Sequence, residues 1–350
     1  MQTTSGDSHT ALSKARGHAS RGDWVSLREM YEGMDHETTS SPELTLLFAE
    51  AQLRVGDARV AGLLLEKVIP IVERQGDGAT HRRALNMLGA AYFEVGDLSR
   101  AEEAFSQALE RALAQGDDLL VARSTNNLGS IANIRKRHEA ALGLYQLAIP
   151  AFQRTGNTAG LAEAHHNMAI AYRDLRRLEQ AERFERRAIE FAREAENPRL
   201  LAMARVGRAE LNLLNGEAEV AHAGASIAAA ECRDIPDPIG EADALRLVAA
   251  ARLVLGALHE AQPVADQAVQ LARRHGNALV EAESLEVRAR IFAQVGDRVH
   301  ARADARQAAE LYLRLDAQVE QEDLERWMKE ELNQDPDERS LDSVRAPHDT

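Results

Sequence analysis

A repeat of 40 residues, running without insertion through most of the chain, limits its possible folds more than any other feature. Ala61, Ala101, Ala141, Ala181, Ala221, Ala261 and Ala301 stand in one column, and Ala108, Ala148, Ala188, Ala228, Ala268 and Ala308 in another. A third column holds only small residues: Ala49, Gly89, Gly129, Ala169, Ala209, Ala249 and Ala289. Small residues in constant register mark stacked supersecondary units, and they override the two or three globular domains that a length of 350 residues would suggest.

A second signal divides each repeat in two. Gly56-Asp57, Gly96-Asp97 and Gly296-Asp297 recur at one phase, and Gly76-Asp77, Gly116-Asp117, Gly156-Asn157 and Gly276-Asn277 recur half a period later. Glycine supplies the left-handed residue that ends a helix, and the Asp or Asn beside it accepts the first free N–H groups of the next, so each repeat reads as two helices of roughly 16 to 18 residues. The cap column Asp77, Asp117, Asn157, Asn197, Asp237 and Asn277 persists where the glycine is lost. There Pro198 and Pro238 follow the cap, at the first helical position that proline favours. Pro70 and Pro150 fall late in second helices and predict matched kinks or early helix ends.

Composition agrees with helices. Aromatic residues are 4% of the chain against 45% apolar overall, and no segment alternates as a strand would. The net charge of -14 repels nucleic acid and anionic membranes, so neither is expected as a partner. The single cysteine, Cys232, permits no intrachain disulfide and reads as a small core residue. Met1 to Thr10 is polar, and no run of 18 apolar residues occurs, which points to a cytoplasmic protein without a signal peptide or membrane span.

The expected architecture is all-α: a right-handed superhelical solenoid of seven to eight antiparallel hairpins. Residues 1–8 are expected to be disordered and 9–332 to form the solenoid, with an irregular first hairpin over 9–35 and regular repeats over about 42–316. A helix over 319–332, carrying Leu324, Trp327 and Met328, is suited to cap the last core edge, and 333–350 reads as a disordered polar tail.

The run Leu88-Gly89, Tyr92, Gly96, Ala101, Phe105 and Ala108 resembles the tetratricopeptide repeat, and Leu128-Gly129, Ala141, Tyr145 and Ala148 repeat most of it. The period resembles the longer-helix subclass of kinesin light chains, cell-polarity adaptors and bacterial peptide-sensing and regulatory proteins. From about Leu200 the motif departs, with Asn212 and Arg252 in the aromatic column and Arg208 for the motif leucine. The family's early tryptophan is replaced by Leu85, Thr125 and His165.

The resemblance implies a binding module whose first helices line a groove for a peptide or a partner helix. Groove-facing candidates in those columns are Arg83, Asn86, Arg123, Asn126, Asn127, Asn133, His166, Asn167 and Arg173. Asparagine can bond both the N–H and the C=O of an extended peptide, and arginine can hold a carboxylate with two parallel bonds, so a ligand with acidic groups or a free C-terminus is favoured. In later repeats Met203, Val206, Leu213, Leu214, Leu247, Leu253 and Val254 suggest a more apolar groove, open to a partner's amphipathic helix or to the chain's own C-terminal helix.

No catalytic constellation accompanies these columns. His36-Glu37, His138-Glu139 and His259-Glu260 lack the second histidine of a helical zinc-protease motif, and no phosphate-binding Gly-rich loop is present. His165 and His166 point about 100° apart on a helix and do not converge on one metal. No cofactor, no metal and no enzymatic activity are expected. The reading is an interaction scaffold or adaptor; the alternative is a sensor whose groove binds a signalling peptide or small ligand and modulates a separate output protein. Self-association stays open.

Overall fold

The computed structural model describes residues 4–34, 41–235, 237–315 and 317–332, and among them every regular element is helical. A first hairpin, α1 (Thr4–Ser20) and α2 (Trp24–Glu32), precedes α3 (Pro42–Val55) and α4 (Ala58–Gln75). Then follow α5 (Gly78–Glu94), α6 (Leu98–Gln115), α7 (Asp118–Ile134), α8 (His138–Arg154), α9 (Thr158–Asp174) and α10 (Leu178–Glu194). The series continues with α11 (Pro198–Leu214), α12 (Ala218–Asp234), α13 (Pro238–Val254), α14 (Leu258–Arg274), α15 (Ala278–Val295), α16 (Arg298–Arg314) and α17 (Gln318–Trp327), and ends in a π-helical turn, Met328–Leu332. The first helix spans Thr4–Ser20, where the solenoid was expected to start at residue 9. Residues 1–3 and the expected tail over 333–350 lie outside the described residues.

The helix boundaries follow from capping. Asp77, Asp117, Asn157, Asn197, Asp237 and Asn277 each accept a bond from the backbone N–H three residues on. Asp57, Asp97 and Asp297 do the same at the other phase. Pro198 and Pro238 open α11 and α13. The early ends expected at Pro70 and Pro150 do not occur: α4 continues to Gln75 and α8 to Arg154.

All thirteen alanines of the two invariant columns are at 0% exposure, which shows that the repeat encodes close helix approach. At Gly89 and Gly129 the reason is explicit, because an added Cβ would lie 2.6 Å from the Phe105 ring and 2.5 Å from the Tyr145 ring. The second helix there inserts an aromatic that only glycine admits.

The helices group into two compact units, Met1–Asn167 and Met168–Thr350, divided within α9. In the first, Leu27, Phe48, Leu65 and Val68 share a core with Ala49 and Ala61, and Tyr31 lies against Phe48 with ring centroids 4.9 Å apart. In the second, Leu324 of α17 packs with Ala305, Ala308 and Tyr312, with Trp327 and Met328 beside it. The C-terminal helix therefore covers the end of the array. Among the described residues no helix is long and apolar enough to cross a membrane.

Candidate functional site

Odd-numbered helices are the first of each hairpin, and in the first unit they are tied side by side through polar side chains. Arg83 of α5 donates to Glu50 of α3. Ser124 of α7 donates to the Asn86 Oδ1 at 3.1 Å. Asn167 of α9 donates through Nδ2 to the Asn126 Oδ1 and the Ser130 Oγ, each at 3.3 Å. These contacts join residues about one period apart and hold the carboxamides in fixed orientations.

Not every predicted residue joins that row. Asn133 is buried, with its Oδ1 2.8 Å from the His138 Nδ1, so it braces its own hairpin turn. His166 is buried, and His165 places Nδ1 2.8 Å from the Leu161 carbonyl of its own helix. Arg173 belongs to the second unit. Among the predicted residues of the first unit, Arg123 and Asn127 stand apart: they lie one turn apart on α7, Arg123 exposed and Asn127 half-buried. Neither makes a hydrogen bond within the described chain.

Glu163 of α9 lies within electrostatic reach of Arg123, Arg54 and His166. Crowding by protein raises its carboxyl above the usual range, although Arg123, Arg54 and His166 pull it down.

The second unit carries on its odd-numbered helices an ion-pair cluster of which the motif columns pointed only to Arg173. Arg246 of α13 is buried and bonds Asp243 at 2.6 Å, with Glu283 of α15 at 3.3 Å and Glu210 of α11 at 3.8 Å. Arg173 pairs with Glu210 and with Asp174 at 3.0 Å. Burial works against the charge on both arginines, but the surrounding carboxylates outweigh it and hold them protonated. Burial, with Asp243 and Glu210 nearby, pushes Glu283 up to about 7 against the pull of Arg246. Tyr312, raised by burial and by Glu286 and Glu283, donates to Glu286 at 3.0 Å.

Leu214 and Val254, expected to line an apolar groove in these repeats, are exposed, but the set as a whole is mixed. Val206 and Leu247 are buried in the core beside Leu213, and Asp243, Arg246 and Glu283 supply the charge in the same columns. Stepping by 40 from Arg123 and Asn126 reaches Asp243, Glu283 and Arg246, a signal present in the sequence.

The profile of the tetratricopeptide repeat matches residues 83–115 and 120–194. Over those residues the chain carries tetratricopeptide repeats. No curated protein matches its sequence. A Rap protein in complex with competence and sporulation factor superposes with a TM-score of 0.62 at 12% identity, covering 93% of this chain and 97% of that one. The apo quorum sensor NprR from B. thuringiensis gives 0.55 at 14% identity, covering 93% and 98%. Aspartyl phosphate phosphatase F from Bacillus subtilis gives 0.54 at 13% identity, covering 96% of each chain. At these identities the likeness is one of fold.

Proposed function

We propose that this tetratricopeptide-repeat protein is an interaction adaptor whose odd-numbered helices in the first unit bind an extended peptide or partner segment bearing a carboxylate. The observation that carries the reading is the contrast on α7. Asn126, Ser124 and Ser130 are bonded to neighbouring helices, whereas Arg123 and Asn127 present unspent donors from the same rigid surface. Fixed donors lose little entropy on binding, and an arginine with a carboxamide one turn away can hold a carboxylate and an adjoining peptide group together. Arg83, Asn86, Asn126 and Asn167 act as supports of that surface.

A second reading, a regulatory sensor of a signalling peptide or small ligand, is favoured by the likeness to a Rap protein bound to competence and sporulation factor and to a quorum sensor.

The test is affinity capture from native lysate with wild-type protein beside an Arg123→Glu, Asn127→Ala variant of unchanged helicity, with both intact proteins and short peptides read by mass spectrometry. A protein retained by the wild type and lost by the variant supports the adaptor. A peptide or small molecule with that behaviour supports the sensor, and identical eluates from the two proteins reject this surface as the site.

A further inference from the structure

On the other side of the hairpins, within the second unit, α10, α11 and α12 enclose a recess of about 380 Å³. Its origin lies in the repeat. In the preceding hairpin, Tyr172 and Phe184 stack with ring centroids 5.2 Å apart and planes 16° from parallel. One period later those columns hold Asn212 and Gly224, and the space that two rings would fill is left open. Ile189, Ala209, Val220 and Ile227 give it an apolar lining, with Val220 and Ile227 each 54% exposed.

Four arginines border this recess, Arg186, Arg193, Arg205 and Arg208, against one acid, Glu190. Arg186 is engaged with Glu182, and Arg205 with Glu231. Arg193 and Arg208 have no ion-pair partner among the described residues. Arg205 is pushed below the usual guanidinium range by burial and by the charge of Arg193. A protein of net charge -14 thus gathers positive charge around an apolar hollow, where like charges oppose one another until an anion enters.

We propose that this recess is a binding site for a small amphiphilic organic anion, with its acidic head between Arg193 and Arg208 and its apolar body on Ile189, Val220 and Ile227. The volume lies in the range of small-molecule sites, about 300–1,000 Å³, and the lining joins an apolar floor to a few convergent charges as such sites do. A polyanion is disfavoured, because the acidic remainder of the protein would repel its length. The site is independent of the peptide-binding surface proposed for the first unit.

The probe is 8-anilinonaphthalene-1-sulfonate, titrated by fluorescence against wild type, against Gly224→Phe and against Arg193→Glu, Arg208→Glu. A Cβ on Gly224 would meet the Ala209 Cβ at 3.7 Å, an ordinary contact, so a side chain can be added there and fill the hollow. The arginine variant changes only exposed side chains and keeps the test open if the phenylalanine perturbs folding. Saturable binding by the wild type, weakened by about tenfold or more in the folded variants, is expected. The uncharged analogue N-phenyl-1-naphthylamine should also bind the wild type more weakly than the sulfonate. Absence of saturable binding by the wild type, or equal binding by the folded variants, overturns the proposal.

Discussion

The two units pack the same repeat with different side chains. In the first unit Gly89 faces Phe105 and Gly129 faces Tyr145, so that one helix gives up its Cβ and the other supplies a ring. In the second unit Ala169 stands with Glu185, and the later column pairs read Ala209 with Ala225, Ala249 with Ala265 and Ala289 with Ala305, all buried. The polar ties between odd-numbered helices diverge in parallel: the Ser124–Asn86 and Asn167–Asn126 bonds stand beside the Arg83–Glu50 pair in the first unit, and arginine–carboxylate pairs around the buried Arg246 join them in the second. The helix spacing therefore constrains summed volume and paired polarity rather than residue identity. Tetratricopeptide repeats can lose motif residues, as this chain does after Leu200, and keep their register.

The sharpest way to break this comparison is to remove the central charge of the second unit. Arg246→Ala leaves Asp243, Glu283 and Glu210 without their shared partner and should cost about 3–5 kcal/mol, whereas Asn126→Ala in the first unit should cost about 1 kcal/mol. Equal costs in urea unfolding would show that the second cluster is solvated and not a buried network.

A smaller effect tests the volume exchange. Gly129→Ala drives a methyl into the Tyr145 ring and should cost about 1–3 kcal/mol by overpacking. Adding Tyr145→Ala to it, which recreates the second unit's pairing, should cost less than the sum of the two single changes, as a double-mutant cycle in urea would show.

The pH dependence of stability separates the units again. Glu283 has a folded pKa near 7 against an ordinary value of 4.5, so the folded state holds the proton more tightly. Its contribution favours folding below the ordinary value and is lost as pH rises toward 7. Glu283→Gln should therefore flatten the decline in melting temperature across pH 5 to about 7. A variant whose profile superposes on the wild type would show that Glu283 titrates normally.

The smallest expected effect lies in the turns. Gly216 and Gly256 take left-handed φ values of 81° and 75°, and in the equivalent column Lys136 is held at 58°. Lys136→Gly should relieve about 1 kcal/mol of strain, less the entropy that glycine loses on folding, and raise the melting temperature slightly. A lower melting temperature would mean that the Lys136 side chain contributes more than its backbone costs.

The parts of the fold that sequence revealed are those set by local chemistry repeated many times. Asp77, Asp117 and Asn277 are caps because a helix start needs an acceptor, and the period places each one. Pro70 and Pro150 do not end their helices, because packing along a whole helix outweighs one lost backbone bond. The functional columns were legible as positions, and their partners were not. Asn126 and Asn127 are neighbours of the same type, yet one side chain is bonded to Asn167 and the other to no group among the described residues, a distinction that depends on the next helix. Arg246 escaped notice because the motif fades around it, although counting by 40 reaches it.

The ties between hairpins are short in sequence. Arg83 reaches Glu50 over 33 residues, Arg246 reaches Glu283 over 37, and Asn126 meets Asn167 over 41. A hairpin so connected needs only the one before it as a template, so folding can start as the chain leaves the ribosome and proceed at the pace of synthesis. The earliest repeats, which carry the Arg123 and Asn127 surface, are then assembled before the last are translated.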